Sequence, residues 1–241
     1  MLQPVLERWD IVAVFTIADL HLPLGIDKPM NKFGSSWDNY VERIEKNWSA
    51  VVRESDTVVL PGDLSWATYL EQAERDFEYI ECLPGRKIII KGNHDYWWTT
   101  ITKLNEFTEK HGFKSIFFLH NNSYTADGIS ICGTRGWLYP AWTAFTEADE
   151  KYFMREVGRL ELSLKSAQTE ERVVFTHYPP MSRAGEGNAF TEMMKKYNVK
   201  KCYYGHLHAA SHANRIQDVA DGIEYHLVSS DYLGFSLRLA V

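Results

Sequence analysis

Lys87–Asp95 reads KIIIKGNHD, and this stretch decides the fold. Three consecutive isoleucines bounded by charged and turn-forming residues are the pattern of a short strand covered on both faces. The strand predicted over Lys87–Ile90 stops at Gly92-Asn93-His94-Asp95, and Ile101, Leu104 and Phe107 then mark one face of a helix that Gly112 closes. The same unit occurs twice upstream. Ile11–Ala18 (IVAVFTIA) is β-branched, ends at Asp19, and precedes an amphipathic helix from about Trp37 to Val52, with Ser35 or Ser36 available as its N-cap. Thr57–Leu60 runs into Pro61-Gly62-Asp63 ahead of a helix faced by Leu70, Ala73, Phe77 and Ile80.

Downstream, strands are predicted at Ser115–Leu119 and Ile129–Cys132, followed by a long helix between about Phe145 and Leu164. Arg172–Thr176 is another buried-type strand and stops at His177; Lys201–Tyr204 runs into Gly205-His206-Leu207-His208. Glu224–Val228 and Phe235–Leu239 read as closing antiparallel strands. The glycine-bearing loop Pro179–Asn188 directly follows His177 and reads as a site loop. The alternation of strand and helix predicts an α/β protein. No repeat, low-complexity tract or linker divides the chain, so residues 1–241 are read as one domain.

Composition bounds the function. Asp and Glu number 32 against 26 Lys and Arg, a formal charge of -6 that disfavours a nucleic-acid binder working by broad phosphate neutralisation. Cys82, Cys132 and Cys202 form no CxxC pair and are read as core residues of a reduced, cytoplasmic protein. The N-terminal apolar run lacks the flanks of a signal peptide and is too short to span a bilayer, so no membrane partner is expected. Oligomeric state is not legible.

In an open α/β sheet, ligands gather beyond the carboxyl ends of the strands. Five predicted strands end in loops carrying Asp19 and His21, Asp63, Asn93 with His94 and Asp95, His177, and the pair His206 and His208. Carboxylate, imidazole and amide oxygen suit borderline divalent cations such as Mn, Fe, Ni or Zn. Asp19, His21, Asp63 and His208 could surround one cation, and Asn93, His177, His206 and a shared Asp63 a second. Two carboxylates with two dications leave a formal charge of about +2, receptive to phosphate.

The ordered set Asp19-Leu20-His21, Gly62-Asp63, Gly92-Asn93-His94-Asp95, His177 and Gly205-His206-Leu207-His208 resembles the calcineurin-like metallophosphoesterase superfamily, over residues 19–208. The resemblance implies a four-layer αββα sandwich of two mixed β-sheets, the metal-ligand assignment just given, and hydrolysis of phosphate mono- or diesters by a water or hydroxide activated between two metals. His94 is then the candidate for protonating the leaving oxygen or stabilising the transition state, and Asp95 for orienting its imidazole, against the alternative of a turn-stabilising aspartate. Arg135 and Arg183 are candidate phosphate clamps, against the favoured alternative of surface arginines, and Trp66, Trp97, Trp98, Trp137 and Tyr178 candidate aromatic walls, against the favoured alternative of core packing. A small phosphorylated molecule is the expected substrate.

Related proteins with this motif set also cleave cyclic nucleotides and nucleic acids. A branch acting on lipid-linked nucleotide pyrophosphates carries arginine where this chain has His94, and the chain is short for a protein serine/threonine phosphatase. A non-catalytic scaffold of the same fold is the alternative from another class, disfavoured because every ligand position is filled.

Overall fold

The computed structural model describes residues 12–241. The first strand, β1 (Val14–Thr16), is shorter than the apolar run that predicts it, and Ile11 lies outside the described residues. Strands β2 (Thr57–Pro61), β3 (Arg86–Ile90) and β4 (Ile116–Phe118) follow, and all three pairings from β1 to β4 are parallel. The second half supplies β5 (Tyr124–Ala126), β6 (Ile129–Thr134), β7 (Arg172–Thr176), β8 (Lys201–Tyr204), β9 (Val219–Ala220), β10 (Ile223–Leu227) and β11 (Arg238–Leu239). They form two mixed sheets, one ordered β11-β1-β2-β3-β4 and the other β5-β6-β7-β8-β10-β9.

The closing strands differ from the sequence reading. β10 runs parallel to β8 and antiparallel only to the two-residue β9, while β11 crosses to the first sheet and pairs antiparallel with β1. Alternation of apolar residues marks a half-buried strand but carries no information on which neighbour the strand chooses.

Helices α1 (Tyr40–Val51), α2 (Glu74–Cys82) and α3 (Ile101–His111) cover the first sheet, and α4 (Glu147–Lys165) and α5 (Ala189–Lys196) the second. Tyr40, Ile44 and Trp48 recur every four residues and give α1 its buried stripe. Its N-cap is Asn39, in a left-handed conformation, and not Ser35 or Ser36, which belong to a preceding 3-10 turn. α3 ends as predicted, with Gly112 left-handed beyond its last turn. α4 begins with a capping box in which the Thr146 N–H donates to Asp149 Oδ2 at 2.9 Å.

A third apolar cluster, including Val59, Ile88, Ile90, Ile131, Val173 and Phe175, fills the space between the sheets. β2, β3 and β7 are therefore buried on both faces, which is why they read as continuous apolar runs. The order of layers is helix, sheet, sheet, helix, the expected αββα sandwich. Cys132 and Cys202 lie in the core, but Cys82 is exposed at the end of α2, which corrects the reading of all three as core residues.

The loops that end β1 and β8 bring the two sheets close together. A Cβ added to Gly205 would lie 2.5 Å from Asp19 Oδ2 and 2.7 Å from the Ala18 Cβ, so only glycine lets the β8 loop approach the β1 loop. Gly205→Ala should cost about 1–3 kcal/mol through overpacking. Thermal unfolding checks this, and an unshifted melting temperature would show that the two loops can separate freely.

Candidate metal centre

The loops after β1, β2, β3, β7 and β8 converge at one edge of the sandwich. The β1 and β2 loops run side by side: the Asp19 N–H donates to the Gly62 carbonyl and the His21 N–H to the Asp63 carbonyl, both at 2.9 Å. The His177 carbonyl accepts from the Gly205 N–H at 3.1 Å, tying the β7 and β8 loops together. Asp19, His21, Asp63 and His206 have φ of 59°, 47°, 53° and 73°, the left-handed region that non-glycine residues seldom adopt. Such strain, held at four candidate ligands by surrounding hydrogen bonds, is the signature of a site whose geometry matters more than its local stability.

The structure brings all seven candidate ligands together in two facing groups. In one, His21 Nε2 is 3.3 Å from His208 Nε2, and His208 Nε2 is 3.6 Å from Asp19 Oδ1. In the other, Asn93 Oδ1 lies 2.7 Å from His177 Nε2 and 2.8 Å from His206 Nδ1. Asp63 stands between them. Its Oδ1 accepts the His94 N–H at 2.7 Å, leaving Oδ2 3.8 Å from His21 Nε2 and 3.6 Å from His177 Nε2.

Proton placement tests whether cations fit. The Pro61 carbonyl, 3.0 Å from His177 Nδ1, can only accept, so Nδ1 carries the proton of the neutral ring and Nε2 turns a lone pair toward Asn93 Oδ1. Burial keeps that ring neutral by lowering its pKa, and does the same for His21. Burial, reinforced by His177, brings His206 down to about 3. A lone pair facing an amide oxygen and further imidazole nitrogens lacks a proton to share, and a divalent cation satisfies it. His208 differs: burial opposes its charged form, but Asp19 and Asp231 outweigh burial and hold it up at about 10. Asp19 Oδ1, 3.6 Å from His208 Nε2, is the carboxylate oxygen that a cation on this side would engage. The donor set fits two divalent ions.

Asp231 escaped sequence reading. Its Oδ1 lies 2.9 Å from His208 Nδ1 and its Oδ2 accepts the Ala209 N–H at 3.0 Å, so it fixes the ring with Nε2 facing the site. His212, read as surface or structural, contacts the same carboxylate at 3.3 Å. No spacing rule links Asp231 to His208, and only the fold joins them.

Asp95 does not orient His94. Its buried carboxylate accepts the backbone N–H groups of Gly92, Asp63 and Leu64 at 2.6, 2.9 and 2.9 Å and the Trp97 indole N–H at 3.0 Å. Burial and the Asp63 carboxylate push its pKa up to about 7, opposed by these donors. It is the turn-stabilising aspartate of the two alternatives. The His94 imidazole is half-buried, with no hydrogen-bond partner among the described residues; its ring lies 5.8 Å from His21 and 4.8 Å from Trp66.

Trp66 stacks on His21 at 4.4 Å with Lys28 Nζ 3.0 Å above it, and Tyr178 packs on His206 at 4.3 Å, so these two aromatics do adjoin the site. Trp97 and Trp98 are buried in the core beneath α2 and α3. Arg135 stacks on Trp137 beside the centre. Arg183 is exposed, donates to the Ala213 carbonyl at 2.9 Å, and makes no hydrogen bond or ion pair with the ligand group, so it is tied to the 209–214 turn and not to the cluster.

A mixed α/β sandwich with carboxylates, imidazoles and an amide gathered at its strand ends defines the class: an αββα protein with a candidate metal centre. Comparison with known proteins sharpens this. The family described as calcineurin-like phosphoesterase matches residues 13–210, and the chain belongs to it. The family is one of metal-dependent phosphoesterases. Uncharacterized protein MJ1445 of Methanocaldococcus jannaschii is 32% identical over 125 residues, covering 50% of this chain and 67% of that protein. Two solved structures share the fold: phosphopantetheinyl hydrolase of Mycobacterium tuberculosis (TM-score 0.56, 13% identity, 96% of each chain) and AQ665 of Aquifex aeolicus (TM-score 0.51, 19% identity, 95% of each chain). Among the described residues no helix is long and apolar enough to cross a membrane.

Asp231→Asn should weaken manganese binding about 10- to 100-fold, because His208 loses the partner that sets its tautomer. Calorimetric titration of the metal-free protein reads this directly, and wild-type affinity would remove Asp231 from the ligand-orienting role.

Proposed function

We propose that this protein hydrolyses phosphate esters at a centre of two divalent cations, held by Asp19, His21, Asp63 and His208 on one side and by Asn93, His177, His206 and Asp63 on the other. The observation that carries the reading is the position of Asp63 Oδ2, 3.8 Å from His21 Nε2 and 3.6 Å from His177 Nε2, between the two groups. Two cations held there supply Lewis acidity toward the phosphoryl oxygens and a water made nucleophilic near neutral pH.

The chain's own residues do the rest. The His94 N–H holds Asp63 Oδ1 and leaves Oδ2 turned toward both ligand groups. The loops that lock the ligand backbones supply the preorganisation on which electrostatic stabilisation of a transition state depends. His94, whose imidazole has no competing partner, is free to donate a hydrogen bond or a proton to the leaving oxygen. Burial, with His177 and Lys28, lowers its pKa. The ring is thus held toward its neutral form, which favours donation of a hydrogen bond through a single N–H over transfer of a proton. Trp66, stacked on His21, bounds the same mouth and offers an apolar face to the substrate. The substrate is a small phosphorylated molecule, a monoester or a diester.

Asp63→Asn should lower both manganese content and turnover, whereas His94→Ala should lower kcat about 10²- to 10⁴-fold with metal content unchanged. Metal analysis together with hydrolysis of p-nitrophenyl phosphate and bis-p-nitrophenyl phosphate separates the two effects. Two ions still bound in Asp63→Asn would remove it from the shared position, and full activity in His94→Ala would remove that residue from catalysis. A wild-type protein that binds no metal and hydrolyses neither ester would instead point to a scaffold.

A further inference from the structure

Exposed rings are unevenly placed on this molecule. Among the described residues the exposed aromatic side chains are Phe33, Tyr69, Tyr96, Tyr152 and Tyr232, and all but Tyr69 connect to the metal centre through packed rings. Tyr96 meets His94 directly, Phe33 reaches His21 through Trp66, Tyr152 reaches His206 through Trp137 and Tyr178, and Tyr232 packs on His212, which contacts the Asp231 that holds His208. Apolar side chains scattered singly over a surface need no explanation, whereas a gathering of them around one polar centre does.

Two of these rings stand close to His94. The His94 ring is 4.8 Å from Trp66 and 6.1 Å from Tyr96. Tyr96 is 63% exposed, and its N–H donates to the His94 carbonyl at 2.8 Å, so its backbone is tied to the residue whose imidazole it meets edge-on. Trp66 is fixed as a wall: its indole N–H donates to Met30 Sδ at 2.8 Å, and its ring stacks on His21. Phe33 belongs to the same 3-10 turn as Met30, Met30–Phe33, lies nearly parallel to Trp66 at 6.4 Å, and is 60% exposed. Phe33 and Tyr96 therefore keep open ring surface next to anchored neighbours. Such rings contribute binding free energy when a flat apolar group covers them, and with two side-chain torsions each they lose little freedom in doing so.

The position of His94 selects the part of the substrate that meets them. On the phosphoesterase reading His94 faces the leaving oxygen, so the group bonded to that oxygen extends along the edge formed by Trp66, His94 and Tyr96. Tyr152 and Tyr232 are separated from the candidate ligands by intervening side chains. We propose that Tyr96 and Phe33 form a leaving-group subsite for a flat aromatic ring, and that the ester hydrolysed is one whose released alcohol carries an aryl, benzyl or nucleoside group. The proposal rests on the phosphoesterase reading and narrows its substrate class. Water adds to phosphorus, the P–O bond to the alcohol breaks, and the alcohol departs with a proton from that water.

The experiment gives manganese-loaded protein matched pairs of esters. One pair is benzyl phosphate with cyclohexylmethyl phosphate, together with their methyl diesters, because the two alcohols are nearly equal in size and acidity and only one is flat. The other is a nucleoside monophosphate with the ribose phosphate that lacks its base. Wild type should favour the aromatic member of at least one pair about tenfold in kcat/KM. A preference in the first pair alone marks an aryl or benzyl ester, and one in the second marks a nucleotide. The preference should fall in Tyr96→Ala and in Phe33→Ala, mainly through KM, disappear in the double alanine variant, and persist in Tyr96→Phe, which keeps the ring. No preference in wild type, or one that survives the double variant, would overturn the subsite while leaving the phosphoesterase reading intact. Should no ester be cleaved, that reading fails, and calorimetric titration with benzylphosphonate and cyclohexylmethylphosphonate decides the subsite alone. Benzylphosphonate bound about tenfold more tightly by wild type, and no more tightly than its partner by the double variant, supports it. Equal binding of the two by wild type, or binding of neither, overturns it.

Discussion

The centre depends on one buried carboxylate that is not among its candidate ligands. Asp95 gathers N–H groups from two loops, Gly92 from its own and Asp63 and Leu64 from the loop after β2, and adds the indole of Trp97. Each donor would otherwise be buried unpaired, at about 1–3 kcal/mol apiece. A single acceptor thereby ties Asp63, which stands between the two ligand groups, to the loop that carries Asn93. Gly92 completes the constraint, since a Cβ there would fall 2.1 Å from Asp63 Oδ1.

A second constraint joins the sheets. Asp19 ends β1 in the first sheet, and its Oδ2 accepts the His206 N–H at 2.9 Å from the loop after β8 in the second. The Ser230 hydroxyl donates to the Asp19 carbonyl at 2.7 Å, and the Ala18 N–H to the Val228 carbonyl at 2.8 Å. The candidate ligand therefore also acts as a structural clamp, and its left-handed backbone is held from both sides. Burial raises the Asp19 pKa, yet His208 and the other imidazoles override this and leave it lowered. The carboxylate stays ionised, in the form that binds a cation.

The order of strands and the residues at their ends were legible because β2, β3, β7 and β8 are buried on both faces and their loops carry residue types with few other reasons to recur together. Arg172–Thr176 and Lys201–Tyr204 have the bounds that the apolar pattern predicts. What stayed hidden is set by distance in space alone. β10 could not be assigned to β8 from its alternation, α5 is a short helix directly after the Pro179–Asn188 loop where no element is predicted, and Asp231 has no motif to announce it. Asp95 shows the converse: an aspartate next to the candidate histidine His94 in sequence bonds elsewhere in space, because backbone N–H groups take up the buried carboxylate.

Charge is zoned in a way the total hides. A chain of formal charge -6 places the buried Glu156 against Lys91, Arg135 and Arg159, and keeps the acidic groups Glu71, Glu74 and Glu78 together in a separate surface depression around Gly25. Near the site, the carboxylates Asp19, Asp63 and Asp231 are each committed to imidazoles or backbone donors. Two dications held there would bring the ligand group to about +2. That charge would draw an anionic substrate to the loop edge even though the protein as a whole is an anion.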